Sequence, residues 1–376
     1  MIAITNSQLF TDNEVANNKT ILVNNGRITG FADEANLQGY EVIDAEQKYI
    51  VPGFIDLQIY GAAGKLFSAD PTLESIKAIE DQLLREGTTG FLICLATNTP
   101  EVFNQCISVI KEHRSEAKNC LGLHLEGPFI NPEKRGAHVK EYIRKASLDE
   151  IKSLLDFGDG TIKMMTLAPE LQDEQVIQYL LDHHVIVSLG HSSATFDQAT
   201  KAYNQGIQTT THLFNAMSAL QHRAPGIPTA VFNHPTAMSS IIADGLHVDF
   251  EVLKVASKVM KERLFLITDA VTECNSGPYQ HHAVDGKFVM PDGTLSGSAM
   301  TMLQSIKNCI DHCGISLTDA INMATYYPAK LINKANEIGQ LHVNAEANFV
   351  FLDEKLAIER VFFEGKEIKL NKASAI

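Results

Sequence analysis

Apolar and polar positions change their spacing twice along this chain of 376 residues. The two ends consist of short apolar runs separated by turn residues, such as Asn25-Gly26 and Glu364-Gly365. This pattern predicts β-hairpins. The middle alternates short continuous apolar runs with stretches in which apolar residues recur every three or four positions. The runs are typical of buried parallel strands, and the second spacing is typical of amphipathic helices.

The middle of the chain contains eight such alternations. The predicted strands are the run that ends at Gln58 and the runs TTGFLICLAT, CLGLHLEG, TIKMMTLAPE, VIVSLGH, IQTTTHLFN, SSIIADG and RLFLITDA. Eight alternating βα units predict an α/β protein with a (β/α)8, TIM-like barrel. A doubly wound sheet is the alternative, but no Gly-x-Gly-x-x-Gly follows any of these strands to support nucleotide binding.

The β-rich ends predict a second, smaller unit. We expect residues 1–51 and 336–376 to pair into one small β-sandwich that flanks a barrel of residues 52–335.

The sequence also predicts where two helices of the barrel begin. Asp70 before Pro71 predicts the N-cap of the first barrel helix, and Thr99 before a proline predicts that of the second.

Composition and charge exclude several classes of protein. Apolar residues make up 45% of the chain and the formal net charge is −14, so a basic nucleic-acid-binding surface is not expected. The tightest apolar run, FLICLA, is far too short for a membrane span. The N-terminus shows no signal-peptide pattern, and the six cysteines form no Cys-x-x-Cys pair. These features predict a soluble, cytoplasmic protein.

Several metal-ligand types fall where predicted strands end. Glu126, His191 and His212 each terminate a separate strand, and the carboxyl ends of barrel strands converge on one mouth. Two imidazoles and one carboxylate leave an open coordination position, which is typical of a catalytic zinc site and also suits Fe(II). Asp269 ends the eighth strand. It is predicted either as a further ligand or as a proton shuttle beside the metal.

These motifs occur together and in a characteristic order. HLEGPFINPEKRGAH, SLGHSSA, THLFNAMS, RAPG, IADGLHVD and LITDAV span most of the chain. Together they resemble the N-acetylglucosamine-6-phosphate deacetylases of the amidohydrolase superfamily. The resemblance implies a (β/α)8 barrel with a small β-sandwich. It also implies hydrolysis of N-acetylglucosamine 6-phosphate to glucosamine 6-phosphate and acetate.

The resemblance also implies a role for each motif residue. It implies Glu126, His191 and His212 as metal ligands, Asp269 as general base and acid, His138 as a contact of the acetamide carbonyl, and Asn215, Ala216, Arg223 and His247 as contacts of the sugar phosphate. In this family the arginine reaches into the neighbouring subunit's site, so a homodimer is implied.

The first strand departs from the pattern of many metal hydrolases. Where they carry His-x-His, this chain has Gln58 and Tyr60. Because glutamine is a poor metal ligand beside histidine, we expect one divalent metal per subunit, with zinc favoured and Fe2+ or another divalent ion as the alternative. We expect Gln58 on the substrate side of this metal, orienting water.

Two other kinds of function compete with this interpretation. A hydrolase on the same fold could act on N-acetylgalactosamine 6-phosphate, which differs only at C4, or on a cyclic amide or guanine-like ring. A non-catalytic sugar-phosphate sensor is the alternative from another class. A sensor has no need of the proton shuttle that Asp269 would provide.

Overall fold

The computed structural model describes residues 1–11, 14–32 and 37–370. The strands are β1 (Ile2–Thr11), β2 (Glu14–Asn24), β3 (Arg27–Ala32), β4 (Glu41–Asp44), β5 (Tyr49–Pro52), β6 (Phe54–Ile59), β7 (Gly61–Ala62), β8 (Lys65–Leu66), β9 (Thr88–Ala96), β10 (Cys120–Glu126), β11 (Ile162–Leu167), β12 (Ile186–Leu189), β13 (Thr209–Thr210), β14 (Met238–Ile241), β15 (Leu264–Leu266), β16 (His282–Val284), β17 (Lys287–Val289), β18 (Phe349–Leu352), β19 (Ile358–Phe363) and β20 (Lys366–Ile368).

Helices follow most of the central strands. They are α1 (Leu73–Arg85), α2 (Pro100–Glu112), α3 (Leu148–Gly158), α4 (Glu174–Asp182), α5 (Phe196–Asn204), α6 (Gly226–Asn233), α7 (Phe250–Met260), α8 (Met302–Cys313), α9 (Leu317–Ala324) and α10 (Tyr326–Leu331). The longest of them, α1 and α2, have 13 residues each. Within the described ranges, no helix combines the length and the apolarity that crossing a bilayer requires.

Eight parallel strands form the barrel. Their order is β6, β9, β10, β11, β12, β13, β14 and β15, so the predicted (β/α)8 architecture is confirmed. Every position of β9 is buried. Such continuous burial is expected where helices cover one face of a parallel sheet and side chains fill the barrel on the other.

The barrel closes between its last and first strands by a short seam. β15 and β6 share no regular ladder. Instead, a parallel bridge joins Ile59 to Ala270, and the amide of Asp269 donates to the carbonyl oxygen of Gln58 at 2.9 Å. The amide of Tyr60 donates to Ala270 O, also at 2.9 Å. The seam therefore brings Gln58 and Asp269 side by side at the mouth of the barrel.

Strands from both chain ends form one terminal sheet, as the sequence predicts. Its order is β20, β19, β18, β5, β1, β2 and β3, with β4 paired to β1. Both predicted hairpin turns are present. Asn25 and Gly26 have φ of 48° and 75°, and Glu364 and Gly365 have φ of 48° and 71°, values typical of two-residue turns between antiparallel strands.

The terminal sheet and the barrel meet at Gly53. β5 belongs to the terminal sheet and β6 to the barrel, and Gly53 alone separates them. The predicted limits of 1–51, 52–335 and 336–376 stay a prediction. Residues 12–13, 33–36 and 371–376, which the two end segments include, lie outside the described residues.

One predicted helix cap is wrong and the other is confirmed. α1 begins after Thr72, whose side chain accepts the Ser75 amide at 3.1 Å. Asp70 instead accepts from the Ser75 hydroxyl at 2.6 Å, because the chain turns at Pro71, where the Thr72 amide donates to the Asp70 carbonyl oxygen at 2.9 Å, and the helix begins only after Thr72. The second prediction holds, since the side chain of Thr99 accepts from the Val102 amide at 3.4 Å and caps α2.

Candidate active site

Three predicted metal ligands meet at the mouth of the barrel. Glu126 is the last residue of β10, His191 lies just beyond β12, and His212 just beyond β13. Glu126 Oε1 is 3.2 Å from His191 Nε2 and 3.1 Å from His212 Nε2. The two Nε2 atoms are 3.0 Å apart. All three side chains are buried, so their ligand atoms converge on one point away from bulk solvent.

This arrangement fits a divalent cation. His191 Nδ1 donates to the Lys134 carbonyl at 2.8 Å, so the lone pair of the neutral ring lies on Nε2, facing His212. Lone pairs and a carboxylate that face one another repel unless a positive charge lies between them. The site is therefore chemically suited to a catalytic metal with an open position.

Gln58 and Tyr60 provide hydrogen-bond donors where other hydrolases have histidines. The Gln58 side-chain nitrogen donates to Glu126 Oε1 at 2.9 Å and to Asp269 Oδ1 at 2.6 Å. The Tyr60 hydroxyl donates to Glu126 Oε2. Both side chains therefore stabilise the carboxylates without adding a metal ligand of the imidazole type. This geometry supports the expectation of a single cation.

Asp269 lies beside the three ligands rather than among them. Burial first, and the charge of Glu126 next, raise its pKa to about 7. A carboxyl group whose pKa lies near neutrality can both accept and return a proton. A cation bound nearby would lower this pKa again. The backbone of Asp269 has φ of +53°, a strained conformation of the kind often kept at functional sites.

His138 presents a hydrogen-bond donor to the site. The backbone amide of Thr97 donates to His138 Nδ1 at 3.2 Å, so in the neutral ring the proton lies on Nε2. That nitrogen is 3.1 Å from Glu126 Oε2. Thr97 thus fixes the tautomer that can donate to a substrate carbonyl oxygen, as the sequence resemblance implies.

His247 is a cationic group in the same cavity. Its Nδ1 donates to Asp244 Oδ2 at 2.6 Å and its Nε2 to the Ser296 carbonyl at 2.9 Å. Two acceptors require both nitrogens to carry protons. Burial opposes the charge, but the Asp244 hydrogen bond and the charge of Asp269 outweigh it and raise the pKa of His247. Contact with a phosphate would require Nε2 to leave Ser296.

The structure brings most of the predicted site residues together in one cavity, and Gln58 and Arg223 are the two that do not line it. A cavity of about 190 Å³ is lined by the three ligands and by His138, Asn215, Ala216, His247 and Asp269. Gln58 is not part of this lining, and it bonds to two lining residues, Glu126 and Asp269. Arg223 is exposed on a loop outside this lining. Among the described lining residues there is neither lysine nor arginine.

Glu170 also supports the site, although no motif in the sequence marks it. Its carboxylate accepts from the Ser192 hydroxyl at 2.6 Å, the Ser193 amide at 2.8 Å and the Asn131 side chain at 2.9 Å. These bonds hold the segment that carries His191. Glu170 follows β11 closely, so the strand-end rule that selected Glu126 could also have found it.

Relatives of known activity share the whole architecture. The sequence pattern of the amidohydrolase family matches residues 49–368. N-acetylglucosamine-6-phosphate deacetylase from Danio rerio is 33% identical over 90% of this chain and 88% of the relative.

Solved structures of the same kind of enzyme are similar to this chain over nearly its whole length. The crystal structure of N-acetylglucosamine-6-phosphate deacetylase from Pasteurella multocida is 33% identical, with a TM-score of 0.93 over 98% of this chain and 100% of that one. A mutant of the deacetylase from Mycobacterium smegmatis, in complex with N-acetyl-D-glucosamine 6-phosphate, is 29% identical, with a TM-score of 0.91 over 98% and 99% of the two chains. The chain belongs to the amidohydrolase family and, within it, to the N-acetylglucosamine-6-phosphate deacetylases.

Proposed function

We propose that the protein hydrolyses the acetamide of N-acetyl-D-glucosamine 6-phosphate, giving D-glucosamine 6-phosphate and acetate. The observation that carries this proposal is the position of the buried Asp269 carboxyl group beside the converging atoms of Glu126, His191 and His212. Amide hydrolysis needs both an activated water and a proton for the departing nitrogen. A proton shuttle next to a cation site meets both needs.

We assign Glu126, His191 and His212 as the ligands of one divalent cation. Zinc is the first choice because two imidazoles and one carboxylate are a common catalytic zinc set, and Fe2+ is the alternative. When bound, the cation supplies Lewis acidity that lowers the pKa of water and polarises a carbonyl group.

The protein's own side chains perform the proton transfers. Asp269 accepts a proton from the attacking water and then gives it to the amide nitrogen as the C–N bond breaks. The N–H at His138 Nε2 donates to the acetyl oxygen as that atom gains negative charge. Gln58, 2.6 Å from Asp269 Oδ1, holds the carboxylate in position between the two transfers.

The phosphate group needs positive charge that one chain does not fully provide. The described lining holds the His247 imidazolium but no lysine or arginine. Arg223 is exposed outside the cavity, where a second copy of the chain could receive it. A homodimer in which each Arg223 completes the partner's site would therefore supply the missing cation. Asn215 and Ala216 line the cavity at the sugar-phosphate end of the proposed site.

A cytoplasmic location belongs to the same proposal. The six cysteines, Cys94, Cys106, Cys120, Cys274, Cys309 and Cys313, are all unpaired. Proteins with several free thiols suit a reducing compartment.

Acetate release tests the proposed function. Purified protein is loaded with Zn2+ and incubated with N-acetyl-D-glucosamine 6-phosphate and, separately, with its galactosamine isomer. We expect acetate and free amine in equal amounts, with the higher kcat/KM for the glucosamine compound. Asp269→Asn should retain its zinc but lose activity by about 10²–10⁴-fold, and Asp311→Asn, at an exposed position of α8, should match the wild type. No acetate from metal-loaded protein would refute the proposal.

A further inference from the structure

A small apolar cluster lies apart from the main core. Leu66, Ala96 and Tyr279 pack together, with Tyr60 against them. Leu66 ends β8, Ala96 ends β9, and Tyr279 lies in the segment after β15. These four residues also line the cavity of the candidate site. We refer to them as the apolar wall.

The apolar wall lies next to Glu126 and His138, which face the proposed position of the reacting amide. Ala96 pairs in register with Glu126, so the two side chains point to the same face of the sheet. The amide of Thr97, the residue after Ala96, donates to His138 Nδ1. The carbonyl oxygen of Thr97 accepts from the Tyr279 hydroxyl at 2.5 Å. The apolar wall therefore adjoins Glu126 and His138. Its residues lie after the first barrel strand, β6, at the end of the second, β9, and in the segment after the last, β15.

The geometry of an amide determines what faces this wall. A carbonyl carbon has three substituents in one plane, about 120° apart. In the proposed function the oxygen faces His138 and the nitrogen faces Asp269. The nitrogen carries the sugar towards Asn215 and His247, which follow strands β13 and β14. The third substituent, the acyl carbon, therefore points away from the sugar. It points towards the ends of β6 and β9, where the apolar wall lies.

We infer that the apolar wall is an acyl subsite that accepts a short apolar acyl group, and that Ala96 sets the length it accepts. This inference rests on the proposed function. Ala96 is the smallest side chain of the wall, and Leu66, Tyr60 and Tyr279 surround it. A methyl group fits against an alanine, whereas each further methylene must displace one of the larger neighbours.

A panel of glucosamine 6-phosphates that carry N-formyl, N-acetyl, N-propionyl or N-butyryl groups tests the inference. In the wild type we expect kcat/KM to fall by about tenfold or more for each methylene added to acetyl, as is typical of a close apolar pocket. Ala96→Val should lower kcat/KM for acetyl relative to formyl by about tenfold or more. Leu66→Ala should raise the propionyl-to-acetyl ratio by a similar factor.

The controls separate acyl selection from general damage. Ile242→Val removes one methylene from a different part of the same cavity, next to β14, and should leave all acyl ratios unchanged. Zinc content and thermal unfolding are measured for each variant. If Ala96→Val fails to fold, Ala96→Gly replaces it and should raise the propionyl-to-acetyl ratio.

Two results would overturn the inference, and they have different meanings. If the wild type hydrolyses the acetyl compound but the wall variants change every acyl substrate by the same factor, the acyl subsite is wrong and the proposed function stands. If the metal-loaded wild type hydrolyses none of the four compounds, the proposed function fails and the acyl subsite fails with it.

Discussion

The side-chain amide of Gln58 donates to Asp269 Oδ1 at 2.6 Å, across the seam that closes the barrel. The same nitrogen donates to Glu126 Oε1 at 2.9 Å. One neutral amide therefore lies between two carboxylates that would otherwise repel each other. Hydrogen bonds to an ionised carboxylate stabilise its charged form. Gln58 thus gives both groups positive partial charge without binding a cation.

Removing this amide should impair catalysis and leave metal binding unchanged. We expect Gln58→Ala to lower kcat by about 10–100-fold, because a hydrogen bond to a charged group contributes about 1.5–3 kcal/mol. Metal content should remain at one equivalent per chain, since the three ligand side chains are intact. Steady-state kinetics and elemental analysis measure the two quantities. Gln175→Ala, at an exposed position of α4, is the control. A Gln58→Ala variant with wild-type kcat would contradict the positioning role.

The strand-end residues of this site could be predicted from the sequence because barrel topology alone brings them together. Glu126, His191 and His212 follow separate strands, and all strand ends of a parallel barrel open on one face. The order of the strands in the barrel therefore determines which strand-end residues lie next to one another. In the structure the ligand atoms of these three side chains lie within 4.8 Å of one another.

The bonds of Gln58 and Glu170 could not be predicted in the same way. They depend on how far each loop or strand extends beyond the barrel and on which way each side chain turns. The helix caps show the same limit, since Thr72 rather than Asp70 caps α1. The Asp70 side chain bonds to Lys65 and to the Ser75 hydroxyl, whereas that of Thr72 accepts from the Ser75 amide.

The proposed dimer predicts that two inactive or weakly active variants regain activity when they are combined in one heterodimer. Arg223→Ala alone should lower kcat/KM by about 10–100-fold, the effect of losing a charged hydrogen bond to phosphate. Asp269→Asn alone should be nearly inactive. A heterodimer of the two variants, purified through two different tags, retains one complete site and should regain about half of the wild-type activity.

A matched heterodimer tests whether this recovery is specific. His191→Ala and Asp269→Asn remove groups that belong to the same chain's site, so each of the two sites in that heterodimer lacks one essential group. We expect no recovery there. Equal recovery in both heterodimers, or none in the first, would show that Arg223 does not act across the interface.

Asp56 should be important for stability as well as for the site. Its Oδ1 accepts from the backbone amides of Gln58 and Thr268, both at 3.2 Å, and its Oδ2 accepts from the Thr268 hydroxyl. These bonds tie β6 to the segment after β15, where the ladder is missing. The side chain of Asp56 thus adds to the few main-chain bonds at the seam.

We therefore expect Asp56→Ala to lower the free energy of unfolding by about 3 kcal/mol or more, because each buried donor left without a partner costs about 1–3 kcal/mol. Urea unfolding measures this value. Asp311→Ala, exposed on α8, is the control and should stay within about 0.5 kcal/mol of the wild type. A similarly small change in Asp56→Ala would mean that backbone bonds alone hold the seam.

His124 should make the metal-free protein less stable in acid. It lies inside the barrel, with Nδ1 3.1 Å from the Leu57 carbonyl oxygen and Nε2 2.7 Å from Thr166 Oγ1. Burial lowers its pKa from the ordinary 6.5 to about 4. The unfolded chain therefore binds a proton near pH 6.5, whereas the folded protein stays neutral until about pH 4. The stabilisation is complete above pH 6.5 and is lost as the pH falls towards 4.

One pKa unit corresponds to about 1.4 kcal/mol, so this loss amounts to about 3 kcal/mol of unfolding free energy. Urea unfolding in chelator, at steps from neutral pH towards pH 4, measures it without the pH dependence of metal binding. His124→Gln does not titrate and should show a shallower decline, while His222→Gln, exposed in the wild type, should follow the wild-type curve. Parallel curves for wild type and His124→Gln would mean that other buried groups cause the acid sensitivity.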